Sequence, residues 1–232
     1  MNIFINKYPD QEFEISGDEY QHIKAQRKRV GDQINFIPPT GSTFIVGKIC
    51  SLNKRSVSIV RIGIKDKPSK HLPKITLYQA IAKKQKMELI LQKATELGVD
   101  RIIPVITQNI VPKVDKGNVV RWEKIVKEAA MQSRRFDKPQ IEDAMKLTVI
   151  NGGEGVVCLA EHSAMTSFKN YLSGKEKIEE ISIIIGAEGG FNKDELMLLK
   201  DQGVTLASFG SNILRTETAA ISAIGVLRWF YD

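Results

Sequence analysis

The sequence predicts an α/β protein, its main domain built on a mostly parallel sheet with a small β-rich unit ahead of it. Three observations lead there. From residue 75 onward, short apolar strand segments alternate with helix-length amphipathic ones, the pattern of strands joined by helical crossovers. Before residue 65 the segments are short, rich in β-branched residues and flanked by Gly, Pro, Asn or Asp, which reads as a small β-barrel. Between the two, KDKPSKHLPK (65–74) is charged and Pro-containing, as a linker would be. Domain boundaries at 1–70 and 71–232 follow.

In the first part, strands are expected at Ile3–Ile5, Glu12–Ile15, Gln33–Ile37, Thr43–Cys50 and Val57–Ile64. One helix interrupts them, Glu19–Lys28, with Asp18 as its N-cap. In the second part Ile75–Ala80 reads as a strand. Lys86–Leu97 follows as a helix, with Met87, Ile90, Leu91, Ala94 and Leu97 on one face and Gly98 as its stop. Arg101–Thr107 is the next strand. Trp122, Ile125, Val126, Ala129 and Ala130 then recur at helical spacing. Val156–Ala160, Ile181–Ile185 and Val204–Ala207 are further strands, and Asn192–Lys200 and Glu217–Trp229 are helices.

Composition narrows the class. No apolar run approaches the roughly 20 residues that cross a bilayer, and MNIFINKYPD lacks a charged-then-apolar signal segment. Cys50 and Cys158 have no metal or redox spacing and read as two buried thiols. A cytoplasmic protein is expected. The net charge of +7 is unevenly spread: residues 1–70 hold 12 Lys and Arg against 7 Asp and Glu, whereas residues 71–232 hold 22 against 20. An anionic partner is therefore expected to touch the first third.

Ligands of open α/β sheets bind where loops leave the carboxyl ends of strands. Two such loops are chemically unusual. In ISIIIGAEGGFNKDE a buried strand runs into Gly186, Ala187, Glu188, Gly189 and Gly190, where missing side chains let a ligand approach the backbone. Asn192 and Glu195 then form a capping pair for the next helix. In SFGSNILRTETAA, Phe209, Gly210, Ser211 and Asn212 allow a sharp excursion before Arg215 and Thr216, with Thr218 and Ala219 in the first turn of the last helix. An exposed Arg at a helix start opposes the macrodipole and so points to an anionic partner; Thr216 is also a candidate N-cap. Neither loop is a G-x-G-x-x-G fingerprint or a phosphate loop, and Gly-rich NGGEGVV (151–157) precedes its strand instead of following it. A dehydrogenase and a P-loop nucleotidase are disfavoured. His22, His71 and His162 have no ligand spacing, so no metal is expected.

Four segments, KMELILQKATELGVDRIIPV (86–105), RWEKIVKEAAMQS (121–133), IIIGAEGGF (183–191) and ILRTETAA (213–220), resemble the ribosomal small-subunit methyltransferase E family. HIKAQRKRVGDQI (22–34) carries the likeness more weakly into the first part. The resemblance implies an S-adenosylmethionine (SAM)-dependent enzyme that methylates N3 of a uridine in 16S rRNA of the small ribosomal subunit. It implies a PUA-like RNA-binding barrel followed by a SPOUT-type domain with a trefoil knot, and a homodimer. Three positions depart from the family pattern: Ala187 where Pro is usual, Arg134 where Gly is usual, and Phe209 where Leu is usual. Two alternatives keep the same architecture: a methyltransferase acting on another RNA such as transfer RNA, and a non-catalytic RNA-binding assembly factor.

On this resemblance the loops at 159–162, 186–190 and 209–214 are expected to wrap SAM. The cofactor-binding residues would be Leu159, Ala160, Glu161, Gly186, Ala187, Glu188, Gly190, Phe209, Gly210, Ile213, Leu214, Thr216, Thr218 and Ala219, with Phe209, Ile213 and Leu214 against adenine. Arg215 is the expected stabiliser of charge on the uracil oxygens, and Glu217 or Glu188 the acceptor of the N3 proton. RNA phosphates are expected at His22, Lys24, Arg27, Lys28 and Arg29, and at Arg134, Arg135 and Lys138.

Overall fold

Residues 1–69, 72–108, 116–160, 164 and 166–231 are described in the computed structural model. Six regular elements fill the first part: β1 Asn2–Phe4, β2 Glu12–Ser16, α1 Gly17–Ala25, β3 Gln33–Ile37, β4 Thr43–Leu52 and β5 Ser56–Asp66. The strands form one sheet in the order β1-β3-β4-β5-β2, with β1 parallel to β3 and the other neighbours antiparallel. Its core is Ile3, Ile34, Phe36, Ile45, Ile49, Val57 and Ile59, against which Tyr20 and Ile23 of α1 pack. Gly47 stands at a register shift between β4 and β5, and only hydrogen fits there. A Cβ would lie 2.5 Å from Ile59 Cγ2 and 2.7 Å from the Phe36 ring.

This unit is not confined to the N-terminal residues. It comprises Met1–Ser69 together with Ala130–Asp137, the second unit being Lys70–Ala129 with Lys138–Asp232. Within the first unit the Asn2 side chain, 2% exposed, donates to the carbonyls of Arg134 and Arg135 at 2.8 and 2.9 Å. Phe136 packs on Phe44 with ring centroids 4.9 Å apart.

Two expectations for the first unit are corrected. Helix α1 starts at Gly17 behind Ser16, with no side-chain cap, and stops at Ala25, three residues before the expected end. It stops because Arg27 adopts φ +52, the left-handed conformation that closes a helix, with the Arg27 and Lys28 N–H groups returning to Lys24 and Ile23 carbonyls. Cys50 is exposed, because β4 alternates there between buried Ile49 and outward neighbours. Cys158 is buried as expected, and burial pushes its thiol pKa well up.

The second unit is α/β. In chain order its elements are β6 Lys74–Ala80, α2 Lys84–Glu96, β7 Arg101–Ile106, α3 Lys116–Gln132, β8 Gln140–Ile141, β9 Met145–Lys146, a 3-10 turn Leu147–Val149, β10 Val156–Leu159, β11 Thr166–Ser167, α4 Phe168–Leu172, β12 Glu180–Ile185, α5 Lys193–Asp201, β13 Thr205–Ser208 and α6 Thr216–Tyr231. The segment read as a linker is shorter than expected, since β5 runs to Asp66 and β6 begins at Lys74. The strands form an eight-stranded sheet, β11-β13-β10-β12-β6-β7-β8 with β9 also on β7, and every pairing is parallel.

Both faces of this sheet are covered, which explains why β6 and β12 are apolar almost throughout. Ile181, Ile183 and Ile185 of β12 meet Met87, Ile90, Leu91 and Ala94 of α2, Trp122 of α3 and Ala220, Ala223, Ile224 and Leu227 of α6. On the other face Ile184 joins Leu199 of α5, Leu147 and Cys158. Gly98, at φ +95, ends α2 as expected. Helix α6 is latched by Arg228, which donates to Asp100 Oδ2 at 2.9 Å, to the Pro73 carbonyl at 3.0 Å and to the Gly98 carbonyl. No described helix is long and apolar enough to cross a membrane.

Candidate active site

The site is set by register. Ile185 at the end of β12 pairs with Gln79 of β6 on one side and Leu159 of β10 on the other, and Leu159 also pairs with Ala207 of β13. The loops after these four strands therefore leave the sheet at one level, along its carboxyl edge.

The loop after β12 is tightly built. The Gly190 N–H returns to the Ala187 carbonyl at 2.9 Å, and Gly190 takes φ +64, where a side chain is strained. A Cβ on Gly186 would lie 3.1 Å from Gly190 Cα and 3.3 Å from the Phe191 ring, whereas around Gly189 and Gly190 the space is open. One side of the loop is close-packed and the other is free for a ligand to reach its backbone. The expected capping pair is present: Asn192 Oδ1 accepts from the Glu195 N–H at 2.8 Å, and Glu195 Oε2 accepts from the Asn192 N–H at 2.9 Å. Glu195 Oε1 accepts from the Gln108 N–H at 2.7 Å, so both oxygens of this buried carboxylate are used.

Helix α6 begins at Thr216, and the threonine faces inward, 5% exposed. Its hydroxyl donates to the Gly186 carbonyl at 2.6 Å and accepts from Gln79 Nε2 at 3.0 Å. Gln79, fully buried, also donates to the Ala80 carbonyl at 2.9 Å, and its Oε1 has no partner. Three segments distant in sequence, the end of β6, the Gly-rich loop and the start of α6, thus share one buried polar network.

Around this network stand the charged candidates. Glu188 Oε1 accepts from the Lys83 N–H at 3.2 Å and lies 3.5 Å from Lys86 Nζ. Lys86 Nζ lies 3.7 Å from Glu217 Oε2, a buried oxygen that accepts no hydrogen bond. Burial alone would raise the Glu188 pKa, but the N–H groups of Glu188 and Lys83 and the Lys86 charge hold it below the ordinary carboxylate value. Arg215 and Thr218 are exposed, as are Gly210, Ser211, Asn212 and Ile213. Ile213 is 69% exposed, an apolar side chain open to a ligand. Phe209 is half-buried, its ring 5.6 Å from that of Phe168. Leu159, Ala160, Leu214 and Ala219 are half-buried and Ala187 is buried. Glu161, with His162 of the same loop, lies outside the described residues.

Gln79 and Lys86 were not singled out from the sequence. Each had a signal: a glutamine inside the apolar run ITLYQA, and three lysines in KKQK at a helix start with no acidic residue among them.

Two of the basic residues of the first unit share a neighbour. Lys28 and Arg134 both lie close enough to the Met1 amino group for their charges, after burial, to lower its pKa. Lys24, Arg27, Arg29 and Arg134 are exposed, and His22, Lys28 and Arg135 half-buried. Lys138, also exposed, belongs to the second unit. Arg134 takes φ +58, the conformation glycine favours, which gives a physical meaning to its place in a pattern where Gly is usual.

Among the described residues no group of three or more His, Cys, Asp or Glu could hold a metal ion. The loops do fit a flat, partly apolar cofactor: open backbone at Gly189 and Gly190, and exposed Ile213 beside half-buried Leu214.

Comparison with known proteins agrees with this geometry. Residues 68–228 match the model of the RNA methyltransferase domain. Ribosomal RNA small subunit methyltransferase E of Rickettsia conorii is 34% identical, over 97% of this chain and 94% of its own. The chain belongs to that family. The Bacillus subtilis member is 32% identical over 94% of this chain and 90% of its own. A Legionella pneumophila protein solved with the bound cofactor SAM superposes with a TM-score of 0.84 at 28% identity, covering 98% of this chain and 96% of that one. A Neisseria gonorrhoeae family member, at 22% identity and a TM-score of 0.85, shares the fold over 99% of this chain and 97% of its own. The α/β fold with its parallel sheet is thus the fold of the family.

Proposed function

We propose that this chain transfers the methyl group of SAM to N3 of a uridine in 16S rRNA of the small ribosomal subunit. The observation that carries this reading is the hydrogen bond from Thr216 to Gly186, because it brings the two family loops to one edge of the sheet. The names of the relatives and the SAM-bound Legionella structure support the same activity and cofactor.

When bound, SAM supplies a methyl group already activated by its sulfonium charge. The chain has then to align it with the base. In this reading the backbone of Gly186–Gly190, with Ala187 and Glu188, holds one side of the cofactor. Leu159, Ala160, Glu161, Phe209, Gly210, Ile213, Leu214, Thr218 and Ala219 complete the cradle, with Thr216 fixing it from behind. The pairing edge of uracil must be exposed, so the target base is unpaired or flipped out. Arg215, exposed at the start of α6, stabilises charge developing on the uracil oxygens. Of the two carboxylates, Glu217 is favoured as acceptor of the N3 proton, since its Oε2 accepts no hydrogen bond whereas Glu188 Oε1 is engaged by Lys83.

RNA phosphates would be held by the first unit, residues 1–70 in the expected division and PUA-like in this reading, through His22, Lys24, Arg27, Lys28, Arg29, Arg134 and Arg135, with Lys138 adding to the second unit. The second unit would be of the SPOUT class. Support for its trefoil knot is the path after β13, which pairs with β10 and β11, to α6, packed instead on α2, β6 and β12. A homodimer would bury the half-exposed small residues Ser222 and Gly225 of α6 and Trp229, which is 80% exposed. The substrate places the protein in the cytoplasm.

The test is transfer of labelled methyl from SAM to rRNA in small subunits lacking the modification, with transfer RNA offered in parallel. Label in 16S rRNA alone is expected. Label in transfer RNA alone, or in neither, contradicts the proposal.

A further inference from the structure

Gln79 is fully buried near the end of β6, paired with Ile185 of β12, the residue just before the Gly-rich loop. A glutamine amide has one end that donates and one that accepts. At one end stand the Ala80 carbonyl at 2.9 Å, the Thr216 hydroxyl at 3.0 Å and the Gly186 carbonyl at 3.4 Å. The two carbonyls can only accept, so this end is the NH2 group and the orientation of the amide is fixed. Its two hydrogens serve the two nearer acceptors. The Thr216 oxygen therefore receives a hydrogen from Gln79, and its own single hydrogen is left for the Gly186 carbonyl, 2.6 Å away. A hydroxyl otherwise able to rotate is given one direction.

The other end of the amide is unfavourable. Gln79 Oε1 is buried and accepts no hydrogen bond among the described residues. An unmet acceptor in a core lowers stability, and an apolar side chain of the same length would avoid it. Stability alone does not account for the amide; what it contributes lies at its donating end. Fully buried, Gln79 does not itself reach a ligand, and its effect passes through Thr216 to Gly186. A trans peptide points its C=O and the following N–H in opposite directions, so a carbonyl held inward at Gly186 aims the Ala187 N–H away from Thr216.

We propose that Gln79 is a positioning residue for the methyl donor: by giving the Thr216 hydroxyl its direction, it orders the backbone of the Gly-rich loop before SAM arrives. The proposal rests on the reading that Gly186–Gly190 holds SAM.

The test compares wild type, Gln79→Met, Thr216→Val and Gln79→Met/Thr216→Val. It reads hydrogen exchange of the Gly190 N–H without SAM, and the Kd for SAM by calorimetry. The Gly190 N–H returns to the Ala187 carbonyl within the loop, so its exchange reports loop order whether or not SAM binds there. Gln79→Met should speed this exchange and weaken SAM binding, each by about tenfold, the scale of one hydrogen bond. Because Gln79 acts through Thr216, the double variant should stay within about twofold of Thr216→Val in both. A role in packing alone would leave the exchange rate unmoved or add to the effect of Thr216→Val, and either result overturns the proposal. Faster exchange with unchanged SAM affinity leaves Gln79 as the positioning residue of the loop and overturns the reading of that loop as the cofactor site. Should Gln79→Met fail to fold, the side-chain NH2 of Gln79 is followed in wild type and Thr216→Val. Its hydrogens should exchange faster once Thr216 no longer accepts from it, and an unmoved rate overturns the proposal.

Discussion

The Thr216 hydroxyl and the Gly186 carbonyl lie 2.6 Å apart, and the same hydroxyl accepts from Gln79. One side chain therefore fixes the Gly-rich loop against the last helix, and it does so from a buried position.

Thr216→Val should remove both interactions at nearly constant volume. It leaves one Gln79 donor interaction unmet and the Gly186 carbonyl with only the longer 3.4 Å hydrogen bond from Gln79 Nε2, at about 1–3 kcal/mol. For a chain of this size that lowers the Tm by roughly 2–4 °C per kcal/mol. SAM affinity should fall with it, while Thr216→Ser keeps both. Calorimetry of the three proteins checks this, and an unaffected Thr216→Val would remove the network from the account.

Gly190→Val adds a side chain on the open side of the loop, at φ +64. The left-handed conformation costs about 1–2 kcal/mol, so the protein should stay folded and lose measurable SAM binding. Normal affinity would mean that the cofactor does not approach this face.

Arg134→Gly separates stability from binding. The carbonyl of Arg134 is held by Asn2, so its positive φ is maintained by the surroundings. Glycine accepts that conformation freely but gains freedom in the unfolded chain, so stability should rise by no more than about 1 kcal/mol. RNA affinity should drop, and the slope of log K against log salt should flatten by about one if Arg134 contacts a phosphate. An unchanged slope would make it a helix terminator alone.

Glu188 gives a pH signature. Its folded-state pKa is lowered, so its stabilising contribution is complete above the ordinary carboxylate range and is lost as pH falls through the folded value. The Tm difference between wild type and Glu188→Gln should therefore be largest near neutral pH and shrink in acid. A difference that grows in acid would reverse the sign of the shift.

Much of the site was legible because it is local. The Asn192–Glu195 cap and the Gly98 stop depend on residues within a turn of each other, and the parallel sheet, though not its strand order, follows from buried strands alternating with helices. The linkage of Gln79 to Thr216 was not legible, because it joins residues 137 positions apart. Lys86 likewise acquires its meaning only when Glu188 and Glu217 fold against it. The early end of α1 turned on a left-handed arginine, a conformation that residue type does not announce. Cys50 was misplaced because composition says that cysteines tend to be buried, whereas strand alternation put this one outside.

The most direct test is nucleoside mass spectrometry of 16S rRNA from small subunits lacking the modification, after incubation with the purified protein and SAM. N3-methyluridine in the wild-type reaction, and its loss with Arg215→Ala, is the predicted result. SAM binding without any methylated uridine in 16S rRNA would contradict the account.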